Sequence, residues 1–156
     1  MNKPASRRNF LVAAGGLAAG LALPATVAAQ APGATASTQE AIRKVVGAAS
    51  VNRGKVTLDL PALVDNGNAV SLAVRVDSPM TSAEHVKAIH VFTEKNPQPD
   101  VATFHLGPRS GRASVATRIR LADTQSVIAI CELSDGSFWS GSANTVVTLA
   151  ACLEEI

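Results

Sequence analysis

Between Ala69 and Val76 apolar and polar positions alternate: Val70, Leu72, Val74 and Val76 point one way, Ser71, Ala73 and Arg75 the other. A period of two with one apolar side is what a strand with one buried face requires. The run from Arg112 to Leu121 repeats it, with Ala113, Val115, Thr117, Ile119 and Leu121 opposed to Arg112, Ser114, Ala116, Arg118 and Arg120. Apolar runs predict further strands at 55–60, 86–93, 101–106, 125–133 and 138–149. Turn residues separate them at Asp65-Asn66-Gly67-Asn68, Asn96-Pro97-Gln98-Pro99, Gly107-Pro108 and Ser134-Asp135-Gly136. Seven short strands with no long helix to cross between parallel neighbours predict an all-β fold, an antiparallel β-sandwich.

Ahead of the strands, Ser37-Thr38-Gln39-Glu40 has the form of a capping box, with Ser37 as cap and Glu40 reaching back. It predicts a short helix from about Thr38 to Val46, ended by Gly47. The stretch from about Gln30, rich in Ala, Thr, Ser and Pro, predicts a flexible lead-in. The organisation expected is a leader over 1–29, lead-in and helix over 30–50, and the sandwich over 51–156. A chain of 156 residues is the size of one domain.

The leader is an export signal. Ser6-Arg7-Arg8-Asn9-Phe10-Leu11 sets a twin arginine before an apolar run from Leu11 to Leu23, and Val27-Ala28-Ala29 offers small residues to a signal peptidase. About 13 helical residues rise only about 20 Å, short of a hydrocarbon core of about 30 Å, so no membrane anchor is expected after cleavage. The expected destination is the bacterial periplasm by the twin-arginine route, which carries folded cargo. Without a cofactor motif, the cargo expected is a chain folded together with a partner chain.

Composition narrows the function classes. Removing Lys3, Arg7 and Arg8 from the 14 Lys and Arg leaves 11 against 12 Asp and Glu, a mature net charge of −1. That charge leaves no electrostatic case for DNA, RNA or an anionic membrane, and 3% aromatics with no Tyr argue against a stacking surface for nucleic acid. The core must be aliphatic.

His85, His90 and His105 lack the close spacing of a zinc site, and neither cysteine is followed by the His of a blue-copper site. His90 shares a face with Val86, Ala88 and Phe92, which predicts a hydrogen-bonded core histidine. No nucleophile elbow, phosphate loop or dinucleotide fingerprint is present, so no catalytic residue, metal ligand or cofactor is expected.

The two cysteines differ. Cys131 lies mid-strand on the face of Val127, Ala129 and Leu133, which predicts a buried, inert thiol. Cys152 lies beyond the last β-rich run. If Ser134–Ser137 turns a hairpin, Cys131 faces Ser140 or Gly141, and Cys152 is about 11 residues, or about 36 Å, farther along. Bridged Cα atoms lie within about 7 Å, so an intrachain disulfide needs a tail that folds sharply back. An unpaired Cys152 suggests an intermolecular disulfide or a thiol that carries something.

Ser78-Pro79-Met80-Thr81, His85 to Phe92, Glu94 to Pro99, Phe104-His105-Leu106-Gly107-Pro108, Thr117 to Ala122 and Ser134 to Trp139 resemble, in one collinear order, SoxY, the carrier subunit of the periplasmic thiosulfate-oxidising Sox system. The resemblance runs from the leader to the end of the chain. It implies an immunoglobulin-like sandwich paired with a second sandwich subunit, SoxZ. It also implies a thiosulfonate-type adduct on a Cys near the C-terminus, here Cys152. The implied transient partners are a haem c protein that loads thiosulfate, a hydrolase that releases sulfate and a dehydrogenase for the remaining sulfane sulfur. The chain itself would be a carrier, not an enzyme.

One departure matters: the family's usual ending is Gly-Gly-Cys-Gly-Gly, whereas this chain reads Ala150-Ala151-Cys152-Leu153-Glu154-Glu155-Ile156. Leu153 is bulkier than glycine, and Glu154 and Glu155 repel an anionic adduct by about 1 kcal/mol in water at 4 Å. They also raise the thiol pKa. The ending motivates an alternative, a periplasmic interaction subunit that keeps the fold and has lost covalent carriage.

Overall fold

The computed structural model describes residues 34–151 as one helix and nine strands. In chain order these are α1 (Ala36–Val46), β1 (Val51–Arg53), β2 (Val56–Asp59), β3 (Leu63–Val64), β4 (Val70–Val76), β5 (Val86–Thr93), β6 (Asp100–His105), a 3-10 turn at Pro108–Ser110, β7 (Ser114–Ile119), β8 (Gln125–Leu133) and β9 (Phe138–Val147). The predicted leader and most of the lead-in lie outside the described residues.

All seven predicted strands form, and they stack as two sheets. One has the order β1-β9-β8-β5-β6 with β3 also on β9; the other is β2-β4-β7. The sandwich is immunoglobulin-like and mostly antiparallel. It departs from the wholly antiparallel expectation at β1 and β3, which pair parallel to β9, Val51 opposite Phe138 and Leu63 opposite Val146. Two or three residues are too few to show a period, so neither was legible as a strand. Between them β2 belongs to the other sheet and crosses close over β9. A Cβ on Gly141 would stand 2.3 Å from the Val56 carbonyl oxygen, so this approach requires glycine.

The inward faces alternate as the pattern predicted. Val70, Leu72, Val74, Ile119, Val127, Ala129, Cys131 and Leu133 meet between the sheets. β5 is buried on both sides: Ile89 and Val91 point into the sandwich, while Phe92 lies beneath α1 with Ile42, Val46, Ile128, Ile130 and Phe138.

The helix starts earlier than predicted and is capped differently. Thr35, not Ser37, is the cap, its Oγ1 accepting the Thr38 N–H at 3.4 Å; Glu40 pairs with Lys44 at 3.2 Å and does not reach back. Tertiary contacts decide this. The buried Thr38 hydroxyl donates to the Thr93 carbonyl at 3.0 Å, and Thr35 Oγ1 donates to the Glu94 carbonyl at 3.2 Å, tying the first turn to the end of β5. Among the described residues no helix is long and apolar enough to cross a membrane.

Candidate functional site

β9 ends at Val147, and the chain is then tied to the sandwich. Thr148 N–H donates to the Val64 carbonyl at 3.0 Å and Leu149 N–H to that of Asp65 at 3.1 Å. Gly67 N–H donates back to the Leu149 carbonyl at 2.8 Å, and Leu121 N–H donates to the Gly67 carbonyl at 2.9 Å. Ala151 N–H donates to the Leu121 carbonyl at 3.0 Å. Ala151 is 2% exposed, so the predicted arm is anchored through the residue before its cysteine. Cys152 itself, with Leu153, Glu154, Glu155 and Ile156, lies outside the described residues.

The anchor rests on residues far apart in the chain. Gly67 sits where Leu121, Val147 and Ala151 converge, and no larger residue fits. The turn read at 65–68 forms, Asn66 Oδ1 accepting the Asn68 N–H at 2.9 Å. Asn96 braces the other partner: its Nδ2 donates to the Arg120 carbonyl at 2.8 Å, and its Oδ1 accepts from Ala122 N–H at 2.9 Å and Gln125 Nε2 at 3.0 Å. Sequence reading found the turns that contain Gly67 and Asn96 but not their role under the C-terminal segment. The only available signal was the glycine in the first turn.

The surroundings are apolar on one side and basic on the other. Leu63 (60% exposed), Val146 (48%) and Leu149 (60%) present apolar side chains near the end of β9. Arg118 and Arg120 are exposed just before Leu121. Asp123 is paired with Lys95 Nζ at 2.7 Å; that bond and the Thr124 N–H hold its carboxyl below the usual range.

Cys131 is the buried thiol the pattern predicted. It is fully buried and free, opposite Trp139 in the β8–β9 hairpin, one residue from the expected Ser140. Burial pushes its pKa up to about 11. Gln125, at the anchored end of the sandwich, is six residues or about 20 Å away along β8, well beyond disulfide reach.

His90 is 9% exposed and shares a hydrogen bond of 3.1 Å between Nδ1 and Thr103 Oγ1. It stacks on Phe92 at 6.4 Å, and burial lowers its pKa. His85 Nδ1 bonds with the Thr81 carbonyl at 3.1 Å. Among the described residues no three metal-ligating side chains converge on one point.

Comparison with known proteins adds the following. A family model described as sulfur oxidation protein SoxY matches residues 42–152, so that Cys152 is the last residue matched. The sulfur carrier protein SoxY from Chlorobium limicola f thiosulfatophilum superposes with a TM-score of 0.62 at 24% identity, covering 72% of this chain and 97% of that one. A superoxide reductase (neelaredoxin) from Ignicoccus hospitalis superposes with a TM-score of 0.54 at 15% identity, covering 60% and 80% of the two chains. A superoxide reductase from Nanoarchaeum equitans gives 0.52 at 10% identity, covering 60% and 98%. At such identities these structures share a fold with this chain and nothing more. No curated protein matches it.

Proposed function

This chain belongs to the SoxY family of sulfur oxidation proteins, and on that footing we propose that it carries sulfur intermediates covalently on the Cys152 thiol while other proteins perform the chemistry. The observation that carries the reading is the contrast between the two cysteines. Cys131 is sealed in the core with a pKa of about 11, whereas Cys152 follows directly on a segment anchored at the sandwich end. A carrier needs one reactive thiol at a defined place on an otherwise inert body.

Loading joins the Cys152 sulfur to the sulfane sulfur of thiosulfate, releasing one proton and passing two electrons to a haem c protein. Hydrolysis of the resulting thiosulfonate consumes one water and releases sulfate and a proton, leaving a persulfide on Cys152. A dehydrogenase then oxidises that sulfur. The twin arginine at Arg7-Arg8 supports a periplasmic location and export in the folded state, together with a SoxZ-like partner sandwich.

Leu153-Glu154-Glu155 in place of glycine favours a second reading, an interaction subunit without carriage. One experiment separates the two. Intact mass is measured after incubation with thiosulfate and the purified loading protein. Carriage predicts the mass of one thiosulfate group added to the native chain and none added to Cys152→Ser. An unmodified native chain, or a Cys152→Ser chain that still supports thiosulfate oxidation, overturns it.

A further inference from the structure

The edges of the two sheets are finished differently. β6 borders the wider sheet with a register shift against β5, between Val91 and Phe92, which breaks the even row that an incoming strand needs. β7 borders the three-stranded sheet, and its register with β4 runs from Ser114 to Ile119 with neither a shift nor a proline. Val76 N–H donates to the Ala113 carbonyl at 2.8 Å, so Val115, Thr117 and Ile119 turn their backbone groups to β4, and Ser114, Ala116 and Arg118 turn theirs to the open edge. Among the described residues that row of N–H and C=O groups has no hydrogen-bond partner.

The sandwich is also incompletely covered on this side. β2 packs over β9 and β8, which sets β7 toward β5 and β6, and the narrower sheet stops short of the wider one. Val70, Leu72 and Val74 on β4 are buried, whereas the inward side chains at this border, Val115 on β7 with Phe104 and Leu106 on and just after β6, are only partly so. Outward, the same edge is basic. Arg112, Arg118 and Arg120 are exposed along β7 and its flanks, and Arg75 stands on β4 opposite Ser114. Among the described residues Lys44, Lys55, Lys87 and Lys95 each pair with a carboxylate, and these four arginines do not. The acids on this face are Asp59, across from Ala73, and Asp77, just beyond β4.

We propose that the open edge of β7 takes up an extended segment of a partner protein, with carboxylates alternating outward toward Arg118 and Arg120 and apolar side chains alternating inward toward Val115 and Phe104. The segment becomes the fourth strand of the narrower sheet. A charged face alone suits any polyanion, but a free row of backbone groups beside it selects extended polypeptide. Like charges set against each other destabilise a strand pair, so the arginines disfavour pairing of β7 with a second copy of itself and favour an acidic strand. The proposal makes no use of the Cys152 thiol and is tested apart from the carrier reading.

The probe is a synthetic peptide of alternating Glu and Val, titrated into the isotope-labelled chain and followed by NMR. Binding is expected to shift the amides of Ser114, Ala116 and Arg118 and slow their exchange, with the β8 amides unchanged, and a peptide of alternating Lys and Val is expected not to bind. Two N-methylated peptides separate strand pairing from charge attraction, one methylated at every Glu amide and the other at every Val amide. A paired strand turns only one of these sets toward β7, so one form is expected to lose binding and the other to keep it. At about twofold for each exposed ion pair, Arg118→Gln/Arg120→Gln is expected to weaken binding about fourfold. Arg43→Gln/Arg53→Gln, the same loss of charge on α1 and β1, is expected to leave it unchanged. No binding by the Glu-Val peptide, equal binding by the two N-methylated forms, or equal weakening by the two double variants overturns the proposal. So does protection of the Ser114, Ala116 and Arg118 amides before any peptide is added, since a second copy or the chain's own ends would then already hold the edge.

Discussion

Replacing Gly67 by alanine is the sharpest test of how the C-terminal segment is held. Gly67 does not adopt a left-handed backbone conformation, so alanine meets no torsional penalty there. The obstacle is space. A Cβ would stand 2.4 Å from the Leu121 carbonyl oxygen, 3.0 Å from the Ala151 nitrogen and 3.1 Å from Val147 Cγ1. Two of these are backbone atoms, which no rotamer change can move aside. Relief requires the 65–68 turn to draw away from the end of β7 and the tail, stretching the hydrogen bonds Leu121 to Gly67, Gly67 to Leu149 and Leu149 to Asp65 together.

Each such bond is worth about 1 kcal/mol net, and overpacking at a buried site costs about 1–3 kcal/mol, so a loss of about 2–3 kcal/mol is expected. At about 4 °C per kcal/mol for a domain of this size, Tm falls by about 8–12 °C. Calorimetry reads the stability loss; amide exchange reads the displaced turn, as lost protection at residue 67, Leu121 and Leu149 with the β8 amides unaffected. A Tm within about 2 °C of native with those three amides still protected would refute the convergence of turn, β7 and tail on Gly67.

Two further predictions concern the buried titratable groups. Cys131 is expected to resist a disulfide reagent in the folded chain at pH 8 and to react on unfolding in urea; reaction of two thiols per native chain would contradict its burial. Burial lowers the pKa of His90, favouring the neutral ring in the folded state. Its contribution is therefore whole above about pH 6.5 and is lost as pH falls from there through the lowered folded value. Urea midpoints at pH 7.5 and 5.5 are expected to drop further in the native chain than in His90→Phe, and equal drops would count against it.

How much of this was legible in the sequence depended on the distance over which each feature is decided. β5 and β8 begin and end where the apolar runs predicted, because turn residues bound them and their own side chains set their faces. The Cys131 face followed from Val127, Ala129 and Leu133 alone. The helix cap did not follow, since Thr35, Ser37 and Thr38 are all plausible locally and the choice is made by the carbonyls of Thr93 and Glu94, nearly sixty residues away. His90 does share a side of β5 with Phe92, but a register shift between Val86 and Ala88 turns Val86 into the sandwich instead, and alternation could not reveal that α1 buries Phe92. The anchor was hidden for the same reason: Gly67, Leu121 and Ala151 have no local relation, and only the closed sandwich brings them together. Arg118 and Arg120 were read correctly as the polar side of a strand, which said nothing about what stands beside them.

The anchor changes what a carrier of this kind must do. A long tether lets the cargo enter a partner's active site while the body stays outside. Here backbone hydrogen bonds tie the chain to the sandwich as far as Ala151. A partner must then either bring its reacting group up to the end of β9, where Leu63, Val146 and Leu149 present an apolar surface, or draw the tail off the body. Freeing Leu149 to Ala151 breaks the bonds Leu149 to Asp65, Gly67 to Leu149 and Ala151 to Leu121, about 3 kcal/mol in all. That leaves roughly one molecule in a hundred open at any moment, a penalty that burying a few exposed leucine and valine side chains against a partner offsets.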